Sequence, residues 1–518
     1  MREPVARDLG RIPPRPGADQ VAPLALVTGA TGYVGGRLVP ELLANGYRVR
    51  VLVRHPDRVR DHPWAADVEV VAGDALDADA VGRACADVDV LFYLLHALVL
   101  GHGFGRVEDE MAQIAADAAS TAGVRRIVYL GGLLPGGGRG DARLSEHLSS
   151  RMRTGEILRS SGVPTIELRA GVILGSGSTS FEMLRYLTEH LPAMITPKWV
   201  RTRIQPISVR DVLRYLVGAA ALPPAVNRAF DIGGPDVLTY EQMMRRYARI
   251  NGLGRRVIVP VPLLTPRLSS LWVGLVTPVP SAIAKPLVRS LRNEVVCQEQ
   301  DIRTLIPDPP GGLLGFDDAV ELAVRRVRDA DVRTRWSSAS LPWAPSDPLP
   351  TDPTWAGGSL YEDVRTIEVP APAAEVWRVV EGIGGVHGYF SMDWAWRARG
   401  LLDWAVGGVG LSRGRRDPDH LRIGETLDFW RVEELIPERQ LRLRAEMKNP
   451  GLAWLEFTLE PLDGGHTRLV QRAVFYPRGL GGHAYWWAVA PFHGIVFPGM
   501  ARNIGERAAA AAPVAVGG

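Results

Sequence analysis

The sequence predicts two differently built parts: a doubly wound α/β parallel sheet, followed by an α+β domain with an antiparallel sheet. Three observations carry this. From Leu24 to about Ile250, short continuous apolar runs alternate with helix-length amphipathic stretches, the pattern of parallel strands covered on both faces. After a Pro/Ser/Gly-rich stretch, Ser337 to Ser359, the rhythm changes to strand-length segments joined by turns such as LDGGH. At 518 residues, 46% hydrophobic and 23% charged, the chain is long enough for more than one globular core.

Residues 1–21 are rich in Pro and Arg and lack an apolar core, so they read as a flexible tail rather than a signal peptide. Strands are expected at LALVTG (from Leu24), RVRVLVR (from Arg48), VEVVAGD (from Val68), VDVLFYL (from Val88), RIVYLGG (from Arg126) and TIELRAG (from Thr165). Helices are expected between them at VGGRLVPELLANG, DADAVGRACAD, VEDEMAQIAADAASTAG and HLSSRMRTGEILRSSG. This first domain is placed at residues 22–335, with an apolar, proline-punctuated helical extension over about 251–335. Within it, residues 260–290 read as a lid or as an interfacial element touching a membrane surface, since Trp and Arg flank apolar turns. Prolines interrupt any long helix there. A linker at 336–359 separates this domain from residues 360–512, where VRTIEVPAPAAEVWRVVEGIG reads as strand, turn and helix. Antiparallel strands follow, and a helix around Ala501 to Ala511 closes the domain.

Composition excludes several classes. Net charge is +3, and Lys198, Lys285 and Lys448 are the only lysines. The arginines are interspersed with Asp and Glu, which suits ion-paired surfaces rather than a nucleic-acid stripe. Cys85 and Cys297 form no zinc spacing, and no metal site is expected. Their use suggests a reduced, cytoplasmic setting. No run reaches the ~18 uninterrupted apolar residues of a spanning helix, so no integral membrane span is expected.

The segment TGATGYVGG sets Gly29, Gly32 and Gly35 directly after a strand and at the start of a helix. The first glycine permits a tight turn, the second lets backbone approach a pyrophosphate, and the third lets the helix pack closely on the strand. The helix N-terminus then offers N–H groups to phosphate. Nineteen residues past Gly35, where an NAD-selective site carries a carboxylate for the ribose hydroxyls, stands Arg54, followed by His55 and Arg58. A guanidinium binds a 2′-phosphate that a carboxylate would repel, so NADPH is expected over NADH. The alternative is a solvated basic turn. Asp74, after the third strand, either accepts from an adenine amino group or caps the following helix.

TGATGYVGG, GDALD and VRRIVYLGGL resemble the atypical short-chain dehydrogenase/reductase superfamily in its NmrA-like branch, over roughly residues 22–330. The resemblance implies a Rossmann domain that binds NAD(P)(H), in a family where many members are reductases and some are sensors. It also implies a catalytic Tyr-x-x-x-Lys pair, which this chain lacks. At that spacing in SEHLSSRMRTGEIL stand His147 and Arg151. Either His147 acts as a neutral proton relay and Arg151 takes the ribose and charge role, or both are polar residues on a helix that merely contacts cofactor. His96, after the fourth strand, faces the cofactor crevice or is a core histidine.

The cofactor-binding set expected is Thr28, Gly29, Thr31, Gly32, Tyr33, Val34, Gly35, Arg54, Arg58, Asp74, Ala75, Tyr93, Gly131, Ala170, Gly171 and Val172. The catalytic candidates are His147, Arg151 and His96. VPAPAAEVWRVVEGIGGVHGYF resembles the opening of START-like, polyketide-cyclase-like helix-grip domains. The remainder resembles an uncharacterised domain found behind NmrA-like domains. The expected function is an NADPH-dependent oxidoreductase acting on an apolar carbonyl, enone or quinone-type small molecule held between the two domains. The alternatives are a non-catalytic NADP(H)- or ligand-sensing protein and a membrane-surface lipid or quinone handler. A homodimer is left open.

Overall fold

β1 (Leu24–Thr28), β2 (Arg48–Val53), β3 (Val68–Ala72), β4 (Val90–Tyr93), β5 (Arg126–Gly132), β6 (Thr165–Ala170) and β7 (Arg228–Ile232) form one parallel sheet in the order β7-β6-β5-β4-β1-β2-β3. The computed structural model describes residues 22–60, 62–96, 104–136, 144–261, 287, 290, 293–330, 359–405, 415, 417 and 419–511. The winding reverses between β1 and β4. That reversal opens a crevice at the carboxyl ends of the two strands, where open α/β sheets take their ligands.

The connecting helices are α1 (Tyr33–Ala44), α2 (Ala78–Cys85), α3 (Phe104–Thr121), α4 (Glu146–Arg159), α5 (Thr179–His190), α6 (Val209–Ala220), α7 (Tyr240–Ile250) and α8 (Phe316–Ala330). β1, β4 and β5 are buried almost throughout because both sheet faces are covered there, whereas the edge strands β3 and β7 expose Val70 and Arg228. Ala25 and Val27 pack with Leu38 and Leu42 of α1 and with Val212 and Leu216 of α6. Leu24 and Leu26 pack on the other face with Ala84 of α2, Ala112 and Ala115 of α3, and Leu158 of α4. Successive strand residues thus serve opposite cores. Phe181 and Leu184 of α5, Tyr247 of α7 and Val320 of α8 build a third cluster.

The expected helical extension begins differently. Val257–Val261 is a strand, parallel to Ala193–Pro197, as its β-branched VIV run favours. The lid or membrane-surface stretch, 262–286, lies outside the described residues, as do the tail 1–21 and the linker up to residue 358. Among the described residues, no helix is long and apolar enough to cross a membrane.

The chain divides into two compact units, Met1–Gly358 and Ser359–Gly518. In the second, β8 (Tyr361–Val369), β9 (Thr426–Leu427), β10 (Trp430–Ile436), β11 (Gln440–Ala445), β12 (Gly451–Pro461) and β13 (Thr467–Pro477) form an antiparallel sheet ordered β8-β13-β12-β11-β10-β9. The LDGGH turn joins β12 to β13 through Gly464 and Gly465, at φ +75° and +76°, a region glycine enters without steric cost. Three helices complete the unit: α9 (Ala373–Glu381), α10 (Asp393–Ala405) and α11 (Gly479–Ala511).

The closing helix is three times the expected length: α11 has 33 residues and runs through Pro491 and Pro498. Each proline removes a helical hydrogen bond. The helix continues because Phe497, Met500, Ile504 and Ala508 bury against Val369, Leu455, Phe457 and Leu469 of the sheet. Tertiary burial outweighs local propensity here.

Candidate functional site

The glycine turn is built by close backbone approach. Gly29 has φ +77°, and a Cβ on it would lie 2.8 Å from the Leu94 carbonyl oxygen. A Cβ on Gly35 would lie 2.2 Å from the Gly29 carbonyl oxygen, so only glycine lets α1 start this close to the turn. Thr28 Oγ1 donates to Phe92 O at 3.2 Å and accepts from Leu94 N at 3.3 Å, tying the ends of β1 and β4 together. Gly32 is the N-cap of α1 and provides no side-chain cap, and the first turn holds no carboxylate. The cradle therefore fits a pyrophosphate: side chains are kept away, and the positive helix end faces the crevice. Thr31 and Val34 are half-buried beside it. Tyr33 turns toward the loop after β6, where a Cβ on Gly175 would meet its Oη at 2.2 Å. Arg37 lies 4.3 Å above its ring.

At the end of β2, Arg54 and Arg58 are exposed, and their side chains have no hydrogen bond or ion pair among the described residues. Their neighbours differ. Arg48 and Arg50 bind Glu69 at 2.5 and 2.7 Å, and Arg60 binds Asp57.

Asp74 is exposed and accepts from Leu76 N at 3.0 Å. The cap of α2 is Asp77 instead, accepting from Asp79 N and Ala80 N at 3.0 and 3.1 Å. Helix capping by Asp74 is thereby corrected: α2 begins three residues later. Ala75 packs with Met111 and Leu95.

Tyr93 is also a correction. It is 1% exposed and belongs to the core beneath the sheet, with its ring 6.0 Å from that of Tyr129. Burial pushes its hydroxyl pKa far up. Such a side chain offers nothing to a ligand.

Gly131, Ala170, Gly171 and Val172 lie at the ends of β5 and β6. A Cβ on Gly131 would come 3.1 Å from Glu167 Oε1, so packing alone accounts for that glycine. Ala170 O accepts from Leu133 N at 2.8 Å, and Val172 O accepts from Ile207 N at 2.9 Å. A Cβ on Gly171 would lie 3.1 Å from Gln205 O.

The three catalytic candidates come together. His96 and His147 stack with ring centroids 5.0 Å apart. Arg151 donates to the carbonyl oxygens of Leu95, at 3.1 Å, and Leu130, and lies 4.9 Å from the Tyr129 ring centroid. Tyr129 Oη in turn donates to Arg151 O at 3.0 Å. Arg151 thus fastens α4 to the ends of β4 and β5, which commits part of its guanidinium to backbone.

His96 Nδ1 lies 2.5 Å from Glu108 Oε1, while Ser150 Oγ donates to the other oxygen of the same carboxylate. Glu108 is 3% exposed, whereas the His96 ring keeps 30% exposure. No spacing in the sequence pointed to Glu108 or Ser150. They lie 42 residues apart, on α3 and α4, and resemble any polar helix positions.

Burial lowers the His96 pKa, opposed by its bond to Glu108. The His147 pKa falls to about 3, chiefly through burial, with His96 and Arg151 adding to it. His147 is therefore a neutral imidazole at physiological pH. Its Nδ1 is buried and has no hydrogen-bond partner among the described residues.

Among the described residues, no group of three His, Cys, Asp or Glu side chains could hold a metal ion. Both cysteines are free.

Comparison with known proteins agrees with this architecture. Residues 29–197 match the family described as NAD(P)H-binding, and residues 355–500 match a protein of unknown function family, DUF2867. Ceramide reductase of Caulobacter vibrioides is 32% identical over 274 residues, which is 51% of this chain and 83% of that protein. The (4-alkanoyl-5-oxo-2,5-dihydrofuran-3-yl)methyl phosphate reductase of Streptomyces griseus is 30% identical over 237 residues, 44% of this chain and 74% of that protein. The solved structure of Citrobacter sp. triphenylmethane reductase complexed with NADP(H) covers 58% of this chain and 99% of its own, at 20% identity and a TM-score of 0.47. Through its N-terminal unit, with a glycine turn leading into α1 at the β1/β4 crevice, the chain belongs to the NAD(P)H-binding Rossmann family of the Caulobacter and Streptomyces reductases.

Proposed function

We propose that this protein is an NADPH-dependent oxidoreductase acting on an apolar small molecule with a carbonyl, enone or quinone group. The observation that carries the cofactor reading is the pair Arg54 and Arg58, exposed at the end of β2 and without partners among the described residues. Being free of carboxylates leaves their donors available, and a 2′-phosphate fits a planar, two-donor group. Gly29, Gly32 and Gly35 would hold the pyrophosphate by backbone, as the space a Cβ would fill supports. Asp74, exposed at the edge, would take the adenine, and Ala170 to Val172 would flank the nicotinamide.

When bound, the reduced cofactor supplies a hydride. The chain's own contribution is the orientation and a path for a proton that comes from solvent. His147 is neutral, so it passes a proton only as a relay, one ring nitrogen giving as the other takes. Glu108 and His96 orient the neighbouring ring, and Arg151 positions α4 as a whole. The alkanoyl and oxo groups in the name of one relative, and the ceramide in the other, support an apolar, oxygenated substrate. The fused C-terminal unit is read as a helix-grip domain, which the packing of α11 along its sheet supports. Two free cysteines suit a reduced compartment.

A second reading, an NADP(H)-sensing protein without turnover, is favoured by one fact: Arg151 spends donors on Leu95 O and Leu130 O, where a ribose partner would need them free. Titration of the purified protein with NADPH and NADH, followed by loss of nicotinamide absorbance with a panel of quinones, enones and aldehydes, decides between the two. NADPH-selective binding with turnover supports the oxidoreductase. NADPH binding with no turnover across the panel supports the sensor, and preference for NADH removes the phosphate argument.

A further inference from the structure

Exposed aromatic rings are concentrated on one part of this molecule. Among the described residues, the Trp and Phe side chains left exposed are Trp394, Trp404, Trp487 and Phe492, and all four stand on α10 and α11. Their exposure runs from 57% to 69%, and Leu401 on α10 and Ile495 on α11 join them at 67% and 63%. Arg399 of α10 donates to Tyr485 Oη of α11 at 2.7 Å, and Trp394 and Phe492 border one cavity, so the two helices lie side by side. Single exposed apolar residues are ordinary on a protein surface, whereas a continuous group of them marks a contact.

On α11 the exposed residues keep helical spacing. Leu480, Ala484, Trp487, Pro491 and Ile495 recur every three or four residues, opposite the side that buries Phe497, Met500 and Ile504 against the sheet. A helix apolar on both faces lies inside a protein or against lipid. From Gly479 to Ala501 the sequence has no Asp, Glu, Lys or Arg. Its histidines add no charge to the outer face: His483 Nδ1 lies 2.8 Å from Tyr361 Oη, and burial lowers the His493 pKa to about 4. The one acidic side chain placed within α10, Asp403, is buried and accepts from Lys448 N at 2.6 Å.

The ends of the uncharged stretch decide what covers it. Arg478 precedes it, Arg502 follows it, and both are exposed. Two copies joined through this face would set arginine against arginine at both ends, in parallel or antiparallel array, because no carboxylate occurs between Asp463 and Glu506 to meet them. An anionic lipid surface answers both ends at once, and indole rings favour the boundary between headgroups and acyl chains. The sheet-bound face keeps α11 lying on such a surface rather than crossing it.

We propose that the outer face of α10 and α11 docks on an anionic lipid surface, with Trp394, Trp404, Trp487 and Ile495 entering the headgroup–acyl boundary and Arg478 and Arg502 meeting lipid phosphates. It stands independently of any nicotinamide chemistry in the N-terminal unit.

The test is co-sedimentation of the full chain, without nucleotide, with vesicles of phosphatidylcholine alone or of phosphatidylcholine with one-third phosphatidylglycerol. Two arginines near an anionic surface are expected to make binding to the mixed vesicles roughly thirtyfold tighter, an advantage that high salt removes. Trp487→Gln combined with Ile495→Gln should lower partitioning at least about tenfold through lost apolar burial. Ile195→Gln, at a position 61% exposed on the N-terminal unit, should leave it unchanged. No binding to the mixed vesicles, equal binding to both kinds, or an equal loss in Ile195→Gln would each overturn the proposal. Full binding retained by the folded double variant would also overturn it. So would a dimer in sedimentation velocity that the double variant dissociates, which would give the face to a second copy. Where the double variant fails to fold, the comparison of the two vesicle types on the unaltered chain decides alone.

Discussion

Glu41 provides a quantitative test of how α1 is held. It is 4% exposed on the buried face of the nucleotide-site helix, and its Oε2 has no hydrogen-bond partner among the described residues. Burial raises its pKa from 4.5 to about 7, against the pull of Arg210. In the unfolded chain the proton leaves near pH 4.5, and in the folded chain near 7. Between those values the folded state holds the extra proton, so stability is complete below pH 4.5, falls as pH rises, and levels off above 7. At 1.36 kcal/mol per pKa unit, the loss is about 3 kcal/mol. Glu41→Gln is uncharged at every pH and lacks this term. Urea and thermal unfolding of both proteins at intervals from pH 4 to 8 should therefore show the unaltered chain losing about 3 kcal/mol more than the variant. With about 2.1 cal/mol/K per residue over a unit of this size, that is roughly 4 °C in Tm. Asp211, raised to about 6, acts in the same direction but is present in both proteins and cancels. Parallel pH profiles for the two proteins would refute the reasoning, whatever constant offset separates them.

Three further outcomes follow from the site. Arg54→Glu should leave stability within about 0.5 kcal/mol, since the side chain is exposed. NADPH affinity should fall roughly ten- to a hundredfold through loss of a charge-assisted bond, with NADH binding unharmed; an unchanged preference would remove Arg54 from the site. Gly35→Ala places a Cβ 2.2 Å from backbone oxygen, which cannot move aside cheaply. It should cost about 3 kcal/mol of stability and abolish nucleotide binding, measured by denaturation and by fluorescence titration. His147→Ala should lower kcat with NADPH affinity retained, and the kcat profile of the unaltered chain should show no inflection near 6.5, because His147 titrates near 3. Undiminished turnover in the variant would end the relay.

Legibility followed the range of the interactions. Six of the seven strands coincide with runs expected from the sequence, and the seventh, β7, carries Arg228 and Asp231 in only five residues and gave no apolar signal. The glycine turn was readable because its φ and close approaches are local. The extent of α11 was not, since two prolines argue for a break that only Phe497, Met500 and Ile504, buried against the sheet, override. Asp74 and Asp77 are both plausible caps in sequence; the position of the first turn of α2 chooses Asp77. Tyr93 follows an apolar strand into what reads as the crevice, yet the alternation of side chains turns it into the core.

By itself, the sequence determined the alternation of elements, the β1–turn–α1 cradle and the guanidiniums at the end of β2. All of these depend on neighbours within a few turns of chain. Only the tertiary structure decided that Glu108 bonds both His96 and Ser150, that Arg151 is fastened to two strand ends, and that Trp396, Trp430 and His493 line one cavity. Those meetings join residues from separate elements. They depend on strand register and on how helices pack across the sheets, quantities that no local run of side chains encodes.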